Sequence, residues 1–160
     1  MNQTRRLTLM AVFVAVGVVG SIWFPSRLLM MYPIQHVVNV MVAVLLGTKA
    51  AVGVAFMIGL LRFITGTSSL LGFPGGMIGA FCSGLLYRKF QKRRWAVVGE
   101  IIGTGIISSL FSVPFAKYVM GISYGAFFFM PSFMISSIVG ALIGWMILPK
   151  VQSLVLDKNI

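Results

Sequence analysis

Few side chains in this sequence can do chemistry, and most of them stand singly within apolar runs. Glu100 and Asp157 are the only acidic residues, His36 the only histidine and Cys82 the only cysteine. No H-E-x-x-H, Cys/His cluster or nucleophile elbow is present, which points away from an enzyme and from metal or paired-carboxylate catalysis. No G-x-x-x-x-G-K-[ST] stretch occurs either, so the chain has no phosphate-cradling loop with which to hydrolyse ATP. It needs no cofactor of its own, and any ATP energy must come from partners.

What remains is a set of polar residues inside apolar segments, where each is costly to bury and is a functional candidate by default. Gln35, His36 and Asn39 share one stretch, with Gln35 and Asn39 at i,i+4 and His36 and Asn39 at i,i+3. They offer donors and acceptors either to a small polar heterocycle or to neighbouring helices. Arg62 precedes the turn Thr65-Gly66-Thr67-Ser68-Ser69, where it either binds an electronegative ligand atom or snorkels to the membrane interface. Phe73-Pro74-Gly75-Gly76 opens a further helix with glycines that allow close approach of a ligand or a helix. Tyr32, Ser109, Ser112, Tyr124, Phe128 and Ser132 fall on the same outer side. A mostly apolar cavity with a few polar groups is how small-ligand sites are built. Glu100 lies about six residues into its helix, at about 9 Å depth for a rise of about 1.5 Å per residue. That is far from Arg62 and nearer to the basic loop or to Ser, Thr and backbone groups of a neighbouring helix. Its role is structural, or it couples protons or transmits movement.

The elements that must position these residues follow from composition. Hydrophobic residues make up 59% of the chain and charged residues 9%, too little polar surface for a water-soluble globule. The expectation is an all-α, multi-pass protein of the cell membrane. It would be a single transmembrane domain over 1–160, with six helices at about 7–24, 34–47, 49–64, 70–87, 95–116 and 126–148. The apolar run after Arg5 and Arg6 is too long for a signal-peptide core and has no cleavage site, so it reads as a retained first helix.

The net charge of +11 does not signal nucleic acid here, because the cations sit between apolar runs. With the N-terminus inside, the cytoplasmic side holds Arg5, Arg6, Lys49, Arg88, Lys89, Lys92, Arg93, Arg94, Lys150 and Lys158. The other side holds Arg27 and Lys117, with Arg62 near that face. This positive-inside bias asks for an even number of spans and an N-in/C-in topology. The run Arg88 to Arg94 is a topology anchor for anionic headgroups or a docking site for a cytoplasmic partner. Small-x-x-x-small pairs recur at Ala11/Ala15, Gly75/Gly79, Gly76/Ala80, Gly99/Gly103 and Gly140/Gly144. In lipid they let helix backbones approach. The first pair faces either its own bundle or another protein.

Gln35-His36-Val37-Val38-Asn39, the stretch from Arg62 to Ala80, Gly84 to Arg88, and Gly99 to Ile106 together resemble the ThiW family. These are S components, the substrate-binding subunits of energy-coupling-factor (ECF) vitamin transporters, and the resemblance covers nearly the whole chain. It implies an S-component bundle that takes up hydroxyethylthiazole, a thiamine precursor, from outside. It also implies a transmembrane coupling subunit, two ATP-binding subunits, and reorientation of the S component during transport. Ala11 and Ala15 would then form the face toward the coupling subunit. The alternatives are another vitamin or heterocycle on the same scaffold, or a self-sufficient proton-coupled transporter using Glu100.

Overall fold

Glycine and proline punctuate the chain where it turns, and the helices between them pack into one bundle. The computed structural model describes residues 1–23, 32–123, 125 and 127–156. Among these residues are six helices and no strand: α1 (Gln3–Trp23), α2 (Pro33–Leu45), α3 (Thr48–Ile64), α4 (Gly72–Phe90), α5 (Arg93–Val119) and α6 (Met130–Leu156). Pro33 opens α2, where a missing N–H costs nothing. Gly47, at φ +85°, makes the tight turn into α3.

Several helices run past the limits set by hydropathy, while α2 ends short of them at Leu45 and α4 begins inside them at Gly72. α1 takes in Arg5 and Arg6, α4 takes in Arg88 and Lys89, and α5 begins at Arg93 and ends beyond Lys117. Hydropathy marks the stretch that suits lipid, whereas a helix can continue into the headgroup layer with charged side chains exposed to it. Position 126, where the last helix is expected to start, lies outside the described residues, and α6 starts at Met130.

Polarity is distributed for a lipid solvent. Arg62, Glu100, Asn39, Ser83, Ser108, Ser109, Ser112 and Ser137 are buried, while Val12, Val16, Phe81, Phe111, Leu142 and Met146 face outward. By length and composition α1, α5 and α6 can each cross a membrane, and α2 is a shorter apolar helix of 13 residues. Arg6 donates to the Leu46 carbonyl at the end of α2, and Arg5 donates to the Val155 carbonyl at the end of α6. Both ends of the described chain therefore lie at one end of the bundle.

Close helix contacts explain the small-residue pairs. A Cβ at Gly103 would lie 2.8 Å from the Cys82 Cβ and 2.9 Å from the Gly79 Cα, and one at Gly99 would strike the Cys82 carbonyl. Gly140 and Gly144 give α6 the same access to α2 at Pro33 and Val37. By contrast, Ala11 and Ala15 are exposed on α1. Within α5, residues Ile101–Ser108 form a π-helical segment of 8 residues, a wider coil often found at functional sites. The Ser108 hydroxyl bonds the Gly103 carbonyl five residues back and the Gly75 carbonyl of α4, tying the segment across the contact. Gly103→Leu should therefore overpack this seam, at roughly 1–3 kcal/mol, and lower the melting temperature of the purified chain by about 5 °C. At Gly53 an added Cβ makes only ordinary contact with Met10, at 3.6 Å. Gly53→Ala should therefore melt no lower than the unaltered chain and up to a few degrees higher, alanine being favoured inside a helix by about 0.5–1 kcal/mol.

Candidate functional site

The site begins with the short α2, whose first two turns carry the polar cluster into the bundle. Gln35, His36 and Asn39 are all buried there, and each reaches a different neighbour. The Gln35 carbonyl oxygen accepts from Arg62 Nη1 of α3 at 2.6 Å. His36 Nδ1 lies 2.8 Å from Glu100 Oε1 of α5. Asn39 Nδ2 donates both to that oxygen, at 3.0 Å, and to the Gly76 carbonyl of α4, at 3.1 Å. Thr104 adds a third donor to Glu100 Oε1, also at 3.0 Å.

Glu100 is thus served neither by the basic loop nor by Ser, Thr or backbone groups of a neighbouring helix, the partners its depth suggests, but by His36 and Asn39 of α2 and Thr104 of its own helix. A 13-residue helix is only about 20 Å long, so the middle of α2 comes level with the eighth residue of α5. Among the described residues, His36 and Glu100 form the one close contact between a basic and an acidic side chain, charged on both sides only when the imidazole is protonated. Arg62 is not its partner.

Arg62 is fixed from below and above. The N–H groups of Thr67 and Ser68 turn back to the Arg62 carbonyl at 2.9 and 3.2 Å, and Gly66, at φ +67°, makes that reversal possible. The guanidinium sits 3.8 Å from the centre of the Tyr32 ring, a cation–π contact. Tyr32 is held in turn by its hydroxyl on the Thr67 carbonyl at 3.2 Å and by its N–H on Ser136 Oγ at 2.9 Å. Although Arg62 is only 1% exposed, its Nε and Nη2 have no acceptor among the described residues, and Gln35 Nε2 also lacks a partner among them.

These groups line a half-open cavity of about 320 Å³ at the end of the bundle opposite Arg5 and Arg6. Tyr32, Gln35, His36 and Arg62 form its polar side, with Thr104 and the Ser136 that holds Tyr32 also in the lining. Leu71, Phe129 and Phe133 supply its apolar wall, and Gly72, Gly75 and Gly76 let α4 approach. At Gly76 an added Cβ would run into Gln35 Nε2, so this glycine leaves room for the amide that holds Arg62. The arrangement presents several donors, one cation and a flat aromatic face to a small, partly apolar ligand.

Of the residues singled out from the sequence, Tyr32, Gln35, His36, Arg62 and Gly76 line the cavity together. Asn39 stands behind it, joining Gly76 to Glu100. Ser109 and Ser112 do not reach it. Their hydroxyls bond carbonyls of their own helix, at Gly105, Ile106 and Ser108, as serines do in apolar surroundings. Phe128 is exposed, and Phe129 takes the lining position. Tyr124 lies outside the described residues. Thr104, Phe129, Phe133 and Ser136 escape the sequence reading, although the last three recur at helical spacing on one face of α6 and the residue just before it. Ser109→Ala and Ser112→Ala should each leave ligand affinity within about twofold of the parent in a binding titration, since neither hydroxyl faces the cavity.

No curated protein and no solved structure matches the chain. A family model described as thiamine-precursor transporter protein (ThiW) matches residues 7–154, a span that takes in the apolar helices and every residue of the cavity. The chain belongs to the ThiW family of thiamine-precursor transporters.

Proposed function

We propose that this protein is the substrate-binding S component of an ECF importer and that its cargo is hydroxyethylthiazole. The observation that carries the reading is the buried, partly unpartnered donor set of Arg62 and Gln35 in a mainly apolar cavity. A thiazole ring can stack on the apolar wall, and its ring nitrogen can accept from these donors. The cavity opens away from the end where Arg5, Arg6, Lys49 and the Arg88–Arg94 run gather. With that basic end inside, it faces outward in an N-in/C-in, six-span protein.

Energy enters from partners, since the sequence has no nucleotide-binding loop. A transmembrane coupling subunit and two ATP-binding subunits supply it, and the S component reorients in the bilayer to release its cargo. Ala11 and Ala15, exposed on α1 beside Val12 and Val16, let another helix approach closely and form the face toward the coupling subunit. Buried Glu100 with His36 favours one second reading, a self-sufficient proton-coupled carrier.

Uptake of labelled hydroxyethylthiazole by cells expressing the chain, with and without the coupling and ATP-binding subunits, separates the two. Accumulation only with the subunits supports the S component. Accumulation without them, abolished by dissipating the proton gradient, supports the carrier.

A further inference from the structure

The donor-rich side of the cavity accounts for an acceptor on the ligand and leaves the opposite polarity unexplained. His36 can supply it with a ring nitrogen that lines the cavity. Glu100 Oε1 already accepts from Asn39 Nδ2 and Thr104 Oγ1. With Glu100 ionised its Oε1 can only accept, so Nδ1 then carries the imidazole proton. In a neutral ring that makes Nε2 a bare acceptor, and Nε2 has no protein partner among the described residues. The ring is only 8% exposed and lines the cavity. Free imidazole exchanges readily between tautomers, and a hydrogen bond to one nitrogen decides what the other offers.

We propose that Glu100 is a positioning residue that locks His36 in the Nδ1–H tautomer. His36 Nε2 is thereby the acceptor that selects a ligand bearing a hydroxyl donor. The inference rests on the thiazole-alcohol reading and deepens it. The polar side of the cavity carries both kinds of group, with Arg62 and Gln35 Nε2 donating and His36 Nε2 accepting. A ligand with a ring acceptor and a free alcohol satisfies both. Its methyl ether, or the ethyl analogue without oxygen, leaves a buried acceptor unpartnered and should bind about tenfold to hundredfold more weakly. Gly79 is part of the same device: a Cβ there would run into Thr104 Oγ1 and lie 2.7 Å from Glu100 Oε1, so its lack of a side chain leaves space for the carboxylate.

His36 is the only histidine, so a chain labelled with 15N-histidine gives one pair of imidazole resonances in a lipid nanodisc. The expected spectrum has Nδ1 protonated and Nε2 bare. Hydroxyethylthiazole should shift the Nε2 resonance, while the methyl ether at equal concentration should not. Glu100→Gln retains an acceptor oxygen and should keep the tautomer, whereas Glu100→Met should release it. The wild-type spectra decide the matter even if a variant fails to fold. An Nε2–H tautomer, or saturable thiazole binding that leaves Nε2 unmoved and tolerates the ether equally, would overturn this inference alone. Absence of saturable thiazole binding would overturn the substrate reading and this inference with it.

Discussion

Arg62→Leu is expected to weaken ligand binding by about a hundredfold or more while leaving the melting temperature of the purified chain unchanged or higher. Two donors of a buried guanidinium, Nε and Nη2, have no acceptor among the described residues. A hydrogen bond to a charged group contributes roughly 1.5–3 kcal/mol, and each 1.4 kcal/mol is tenfold in affinity, so losing one or two such bonds accounts for the fall. The stability side runs the other way. A buried arginine costs up to roughly 2.5–3.5 kcal/mol on insertion scales, the full figure applying at mid-membrane. In the last turn of α3 a smaller cost remains, with no carboxylate to offset it among the described residues. The Gln35 bond and the Tyr32 ring recover part of that. A residue that contributes little to the fold yet is held by a cap at Gly66, a stacked ring and a paired amide is there for a ligand. Thermal melting and binding titration on the same preparation check both halves.

Glu100→Ala should do the opposite and unfold the site, destabilising the chain by about 2–4 kcal/mol. Hydrogen bonds between membrane helices average about 0.6 kcal/mol, so the two that join α2 to Glu100 Oε1 contribute about 1 kcal/mol, and the Thr104 bond within α5 adds to it. Leaving the buried His36 and Asn39 donors without an acceptor adds to it, as removing one partner of a buried pair does in soluble proteins, where the loss is roughly 3–5 kcal/mol. Because these bonds join α2 to α5, the double variant His36→Ala/Glu100→Ala should lose less than the sum of the singles. Melting in detergent, or reversible unfolding in mixed micelles, measures the cycle.

Much of this site is legible in the sequence because polar residues within apolar helices are few. Gln35, His36, Asn39 and Arg62 stand out on that ground alone, and the glycines at 75 and 76 mark the close approach of α4. Depth misleads for Glu100. Counting from a helix end places it correctly along α5, but α2 ends at Leu45, and this short helix brings His36 and Asn39 level with it. Serines carry the weakest signal. Ser109 and Ser112 look like cavity residues by side and spacing, yet a hydroxyl can satisfy itself on its own helix, and the bonds at Gly105 and Ser108 are invisible to composition. The π-helical widening around Thr104 is likewise absent from any periodicity of 3.6, and it turns the helix face that decides which α5 side chain meets the cavity. Phe129 and Phe133 are apolar residues among many, so only packing distinguishes them.

The central claim is that the cavity around Arg62 binds a thiazole alcohol, and equilibrium titration of the purified chain with hydroxyethylthiazole, with Arg62→Leu alongside, tests it most directly. Saturable binding at one site per chain that falls by about a hundredfold in the folded variant is the predicted result. Absence of saturable binding, or equal affinity in the two chains, would contradict it.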